Sequence, residues 1–246
     1  MPFFATKQLG ENQILLVCIL LFMTAVPNAL DARSVNTSRW FLCAELLLFF
    51  TILPLLLYKQ LIPNWPILIL VVVAVGALLI SRRSPNFSVS QLFQWQGARS
   101  QALAILARDA FLMLLLGVAV WQFAPNLLFS FVRRAPILWA ALMILYPVCS
   151  VLPQEFLFRA YFFRRYRELF GKGYAMIAAS ALAFGFVHII FGNWIAVVLS
   201  GVGGVLFSTT YLRTASLSLV CLEHALFGNF LFTIGLGQFF YHAHRL

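Results

Sequence analysis

Charged side chains are scarce in this chain of 246 residues: Asp, Glu, Lys and Arg together make up 10% of it, whereas 63% of the residues are hydrophobic. Soluble domains contain about 25% charged and about 45–50% apolar residues. The composition therefore excludes an ordinary soluble domain and indicates an integral membrane protein. The apolar runs are continuous rather than alternating, which excludes a transmembrane β-barrel and predicts helices.

Acidic residues are the rarer of the two charge types, with 7 Asp and Glu against 17 Lys and Arg, and the formal net charge is +10. An excess of basic residues is also found in proteins that bind nucleic acid. Here the Lys and Arg residues cluster in short loops between apolar runs, where they set the orientation of the spans and contact anionic lipid. We therefore expect a lipid bilayer as the partner of these charges, and no nucleic acid.

Cysteine is also uncommon in the chain. The four cysteines, Cys18, Cys43, Cys149 and Cys221, lie singly in apolar runs, and none of them belongs to a CxxC pair. This spacing gives no support for a metal or redox site built on thiols, and each cysteine is predicted to be a small buried hydrophobic residue.

The chain does contain a series of apolar runs, each near the length of about 20 residues with which a helix crosses the hydrocarbon core. They predict an all-α polytopic membrane protein, with a single bundle of about eight transmembrane helices. Gly201 and Gly204 are expected to let one of these helices approach a neighbour closely. The predicted spans lie near 13–30, 40–58, 65–81, 102–124, 136–166, 174–192, 194–212 and 217–237.

Two of the runs need interpretation. The first follows Lys7 and has no convincing small-residue cleavage site after it, so we expect an uncleaved span rather than a signal peptide. The run 136–166 is long for one span and contains Pro147 and Pro153, so it forms either one kinked helix or two elements that meet at Pro153. With eight spans, the basic loop residues divide about two to one between the two sides of the membrane, a sharper bias than nine spans give. The side with more basic residues is expected to be cytosolic, so both termini are predicted to lie outside the cytosol.

Four ionisable residues, Glu155, Arg159, His188 and His224, lie inside the apolar second half of the chain. Such groups are costly at membrane depth and usually mark functional sites. Glu155 and Arg159 are four residues apart and share a helix face, where they form either a structural ion pair or part of a site. With two histidines on later spans, the set predicts either an acid/base site or a metal site.

The segments around these residues resemble the motifs of the CPBP family of intramembrane CAAX proteases and bacteriocin-processing proteins, also called the Abi family. The family pattern is an E-E-x-x-x-R helix, then F-x-x-x-H, then a late His followed by Asn or Asp. The counterparts here are Gln154-Glu155-x-x-x-Arg159, Phe184-x-x-x-His188, and His224 with Asn229. Gln154 replaces the first Glu, which is the family's usual base, and a carboxamide cannot take a proton from water. Asn often follows the late His by four residues, a position that Gly228 occupies here.

The resemblance implies an endopeptidase that hydrolyses a peptide bond of a membrane-associated protein or peptide with a Glu/His-activated water. Glu155, His188 and His224 would be the catalytic residues, with Gln154, Arg159, Asn229 and Phe184 in support, and the late His and Asn would stabilise the oxyanion. The alternative, which Gln154 raises, is a non-catalytic membrane scaffold or bacteriocin self-immunity factor on the same fold.

The resemblance also implies chemistry without a metal, so no cofactor is expected. If a metal were bound, zinc would be the ion, and Glu155, His188 and His224 would be its ligands. Residues 1–130 are interpreted as membrane helices of uncertain role, and residues 131–246 as the core that carries the motifs, within one integral membrane unit. The bacterial cytoplasmic membrane is the expected location, and the sequence leaves the oligomeric state open.

Overall fold

The computed structural model describes residues 39–84, 87–95 and 98–241. All regular elements in these ranges are helical, which confirms the predicted fold class. Seven main helices follow one another: α1 Arg39–Tyr58, α2 Pro66–Arg82, α3 Arg99–Phe123, α4 Pro136–Arg165, α5 Tyr174–Phe191, α6 Trp194–Thr214 and α7 Leu217–Thr233. Five of them (α1, α3, α4, α5 and α6) are long and apolar enough to cross a membrane, and α2 and α7 are shorter apolar helices.

These seven helices coincide with seven of the eight predicted spans. The remaining one, near 13–30, and its interpretation as an uncleaved span lie outside the described residues. Short helical turns lie between main helices at Val89–Leu92, Pro125–Leu127, Ser130–Arg134 and Arg167–Phe170, and one more, Leu236–Phe240, follows α7. The prediction that all cysteines are buried is wrong for Cys149, which is exposed; Cys43 and Cys221 are half-buried, and Cys18 lies outside the described residues.

Helix α4 is one continuous element of 30 residues, so the segment that could have been two elements is a single helix. It contains two wider π turns, at Pro147–Val151 and Phe156–Tyr161. Pro147 opens the first of them, and a proline inside a helix removes one backbone hydrogen bond and disturbs the regular ladder. Pro153 lies in the short α-helical piece between the two turns.

The second half of α4 forms the centre of the bundle. Every side chain from Glu155 to Phe162 is buried. Helices α2, α5 and α7 pack against α4, and α1 contacts it through Phe50 and Glu45. A helix that is buried on all sides can carry charges only if the neighbouring helices supply partners for them.

Helices α5 and α6 form a close antiparallel pair. A Cβ atom on Gly204 would lie 2.9 Å from the Cα of Ala181, and one on Gly185 would lie 3.0 Å from the Cα of Gly201. Gly204 and Gly185 therefore permit this approach. The role predicted for Gly204 agrees with the structure, whereas a Cβ atom on Gly201 would meet open space. The close packing fixes the last turn of α5, which carries His188.

Two ion clusters fasten the first helices to the rest of the bundle. The Glu45 carboxylate of α1 accepts hydrogen bonds from the Arg165 guanidinium at 2.5 and 3.0 Å, and from the Tyr161 and Tyr166 hydroxyls at 3.0 Å each. Arg108 of α3 contacts both its neighbour Asp109, at 2.7 Å, and Glu223 of α7. Both clusters join separate helices, and we interpret them as structural.

Candidate active site

A hydrogen bond between Glu155 and His224 forms the centre of the candidate site. The Nδ1 of His224 lies 2.7 Å from the Oε1 of Glu155, and it donates because a carboxylate can only accept. Glu155 is completely buried and His224 is 6% exposed. Glu223, adjacent in sequence to His224, points away from this pair and contacts Arg108 instead. The hydrogen bond fixes the tautomer of the neutral imidazole and leaves its Nε2 as an acceptor.

Arg159 contacts the other oxygen of the same carboxylate, as the four-residue spacing predicts. Its Nε lies 3.1 Å from the Oε2 of Glu155, although the two groups are not aligned as a hydrogen bond. The guanidinium carbon lies 4.6 Å from the ring centroid of Phe184 and 5.5 Å from that of Phe207. Arg159 therefore supplies the carboxylate with a positive charge, and the aromatic faces on either side favour that charge.

His188 lies at the end of α5, where the helix tightens into a 3₁₀ turn. Its Nδ1 donates to the backbone carbonyl of Phe184 at 2.6 Å, so the Nε2 of the neutral ring is the nitrogen that can accept a proton. The imidazoles of His188 and His224 have centroids 4.9 and 5.5 Å from the Phe184 ring centroid. The two imidazoles are therefore at most about 11 Å apart, a distance that one bound peptide can span.

Aromatic rings enclose these polar groups. Phe207 stacks on the His224 imidazole at 4.6 Å, and Phe184 contacts both histidines and the Arg159 guanidinium. In such a low-dielectric enclosure, interactions between charges are stronger than in water. Phe184, which was expected to support the site, lies between its members, whereas Phe207 carried no sequence signal.

Gln154 and Asn229 make their hydrogen bonds outside this group. The Gln154 amide donates to the Ser150 hydroxyl at 2.7 Å, and the Asn229 amide donates to the carbonyl of Met143 at 3.2 Å. The side-chain oxygens of Gln154 and Asn229 are buried and have no hydrogen-bond partner among the described residues. Each therefore retains a free acceptor inside the protein.

One residue of the site was not anticipated. The hydroxyl of Tyr146 lies 2.9 Å from the Nε2 of His224, and the two rings meet edge to face with centroids 5.9 Å apart. Tyr146 and Glu155 are nine residues apart on α4, and in a regular α-helix this spacing places them about 180° apart. The π turn at Pro147–Val151 contains an extra residue, which reduces the angle to about 80° and brings both side chains to one imidazole.

The described residues contain no group of three His, Cys, Asp or Glu side chains arranged to hold a metal ion. The expectation of chemistry without a cofactor stays a prediction, because the geometry alone does not test it.

The fold and the buried charges define a class: an integral membrane helix bundle with a carboxylate–histidine site at its centre. Residues 136–230 match the family model described as Rce1-like: Type II CAAX prenyl endopeptidase Rce1-like. All three motifs lie within this range, and the match confirms the resemblance that was based on them. The segment from α4 into α7 is thus similar to the CAAX proteases of the CPBP type. No curated protein and no solved structure matches the chain.

Proposed function

We propose that this protein is an intramembrane endopeptidase of the CPBP type, which hydrolyses a peptide bond of a membrane-associated protein or peptide. The observation that carries the proposal is the buried hydrogen bond between Glu155 and His224 at 2.7 Å, with His188 in contact with the same Phe184 ring as His224. A carboxylate, an arginine and two imidazoles in one apolar enclosure provide the groups that acid/base hydrolysis requires.

Glu155 is well placed to position His224. One of its oxygens accepts a hydrogen bond from His224 and the other lies 3.1 Å from the Arg159 Nε, so the carboxylate already serves an imidazole and a guanidinium. A carboxylate held in this way fixes the orientation of the imidazole and stabilises its positive form. Gln154, at the position of the family's usual base, cannot accept a proton at all.

These constraints favour His188 as the general base. Its Nε2 takes a proton from water while the water oxygen attacks the carbonyl carbon of the peptide, and an oxyanion forms. The protonated His188 then returns the proton to the nitrogen of the leaving amine, the C–N bond breaks, and a carboxylic acid and an amine are released. A base of this kind typically contributes about 10²–10⁴-fold to the rate.

The proposed substrate is membrane-associated because the site lies within a bundle whose outer surface is apolar. Large hydrophobic side chains are exposed along α3, α4 and α6, among them Phe111, Ile137 and Val202. We place the protein in the bacterial cytoplasmic membrane, with the lipid bilayer as the partner of its basic loops and with no nucleic acid as ligand.

The test is hydrolysis by the purified protein in detergent or in liposomes. The panel should contain membrane-anchored peptides with and without a prenylated C-terminal cysteine, and cleavage should be detected by mass spectrometry. His188→Ala should abolish cleavage. Thr209→Ala is a matched control, because the exposed Thr209 hydroxyl bonds only to its own helix, at the Val205 carbonyl, and its loss should leave the rate unchanged.

Two outcomes would change the proposal. If Glu155→Gln removes all activity while His188→Gln retains turnover, the base is Glu155 rather than His188. If a well-folded protein cleaves nothing in the panel, the peptidase proposal is wrong, and the non-catalytic scaffold or self-immunity factor takes its place.

A further inference from the structure

The site contains a chain of three groups that goes beyond the sequence motifs: a carboxylate, an imidazole and a phenol. His224 donates from Nδ1 to Glu155, and its Nε2 lies 2.9 Å from the hydroxyl of Tyr146. The Tyr146 hydroxyl is therefore the terminal group of the chain. When the His224 imidazole is neutral, the Tyr146 hydroxyl donates a hydrogen bond to its Nε2. When His224 is positively charged, its Nε2–H donates to the phenol oxygen, and the phenolic hydrogen becomes free for another acceptor.

The backbone makes room for this hydroxyl. A Cβ atom on Gly228 would overlap the ring and the hydroxyl oxygen of Tyr146. Position 228 lies one helical turn after His224 on α7. Any side chain there would thus exclude Tyr146 from its place beside His224. The position of the Tyr146 ring therefore depends on glycine at position 228.

Asn229, which was expected to stabilise the oxyanion, has a hydrogen-bond partner outside this group of three. The amide of Asn229 donates to the carbonyl of Met143 at 3.2 Å. A donor for a substrate oxygen must be held by the protein but have its hydrogen free at the moment of reaction. The Tyr146 hydroxyl meets both conditions once His224 is charged, and Glu155 stabilises that charge.

We propose that Tyr146 is a catalytic residue, whose hydroxyl donates a hydrogen bond to the oxyanion that forms from the scissile carbonyl; this rests on the proposed peptidase function. His224 and Glu155 support the Tyr146 hydroxyl. The charged His224 donates to the phenol oxygen, and this leaves the phenolic hydrogen free to point towards the substrate. No covalent bond to Tyr146 is involved. The phenol stabilises the negative oxygen while water adds and while the amine departs.

The test compares Tyr146→Phe with the wild-type protein. This substitution removes one oxygen atom and keeps the ring that packs against Gly228 and Phe232, so the bundle should fold. Removal of one donor to an oxyanion lowers kcat by about 10²–10³-fold, and KM should change little. Tyr211→Phe is the control: that ring is packed edge to face on Phe163, outside the site, and its substitution should leave kcat unchanged.

A second measurement does not need turnover. A peptide in which a phosphinate replaces the scissile amide carries a fixed negative oxygen where the oxyanion would form. Tyr146→Phe should bind this peptide at least about 10-fold more weakly than the wild-type protein, because it lacks the donor to that oxygen.

The outcomes separate the two proposals. If the wild-type protein and Tyr146→Phe cleave peptides at the same rate, the role of Tyr146 is wrong and the peptidase function stands. If the wild-type protein cleaves nothing but binds the phosphinate more tightly than Tyr146→Phe does, Tyr146 is a donor in a binding site and the peptidase function is wrong. Absence of both cleavage and a difference in phosphinate binding overturns both.

Discussion

Removal of the Arg159 side chain is the most direct test of the buried ion pair. Arg159 and Glu155 are both completely buried, and the Nε and Oε2 atoms are 3.1 Å apart. In Arg159→Ala the carboxylate keeps the hydrogen bond from His224 but loses its permanent positive neighbour. Breaking a buried pair by removal of one partner costs about 3–5 kcal/mol in free energy of unfolding. At about 2–4 °C per kcal/mol for a chain of this size, we expect a fall in apparent Tm of about 6–20 °C.

The assay is thermal unfolding in one detergent, at one scan rate and one protein concentration, followed by size-exclusion chromatography. Arg213→Ala is the matched control because Arg213 lies exposed at the end of α6, and surface substitutions usually change stability by no more than about 0.5 kcal/mol. The double variant Glu155→Gln with Arg159→Met removes both charges and should recover most of the lost stability. A Tm for Arg159→Ala equal to that of the control would refute the role of the pair.

Three further predictions concern separate parts of the molecule. Gln154→Glu supplies the carboxylate that the family motif has at this position and should raise peptide hydrolysis by about 10-fold or more; an unchanged rate would show that this position takes no part in catalysis. Arg108→Ala leaves two buried carboxylates without their shared cation and should lower the free energy of unfolding by about 3 kcal/mol, measured by denaturant titration in mixed micelles. Gly204→Ala should destabilise the bundle by about 1–3 kcal/mol, because its Cβ would collide with Ala181, whereas Gly201→Ala meets open space and should be neutral or stabilising; equal thermal stability of the two variants would contradict the close packing of α5 and α6.

The positions of the helices followed from the sequence because lipid allows few alternatives. A span must satisfy all its backbone polar groups internally, so each long apolar run becomes a helix, and seven runs did so. The length of α4 could not be assigned in advance. Pro147 and Pro153 are compatible with a break or with π turns, and packing on four neighbouring helices decides in favour of one continuous helix.

The site could be predicted in part. The four-residue spacing of Glu155 and Arg159 determines that they share a helix face, and the cost of burying charge indicated that the histidines would lie with them. The partner of each group was less predictable. His224 donates to Glu155 directly, whereas His188 donates to the backbone carbonyl of Phe184 in its own helix and contacts the Phe184 ring. Distances between helices depend on how closely their side chains let them approach, and local spacing carries no information about that.

The sequence by itself determined that the protein is a helical membrane protein, that its second half carries three motifs, and which ionisable side chains the apolar bundle must accommodate. These properties depend on composition and on spacing within one helix. Only the tertiary structure decided that Tyr146 joins the site and that Gly228 must lack a side chain. Both depend on the π turn that rotates α4 and on the approach of α7 to it, and these arise from the packing of the whole bundle.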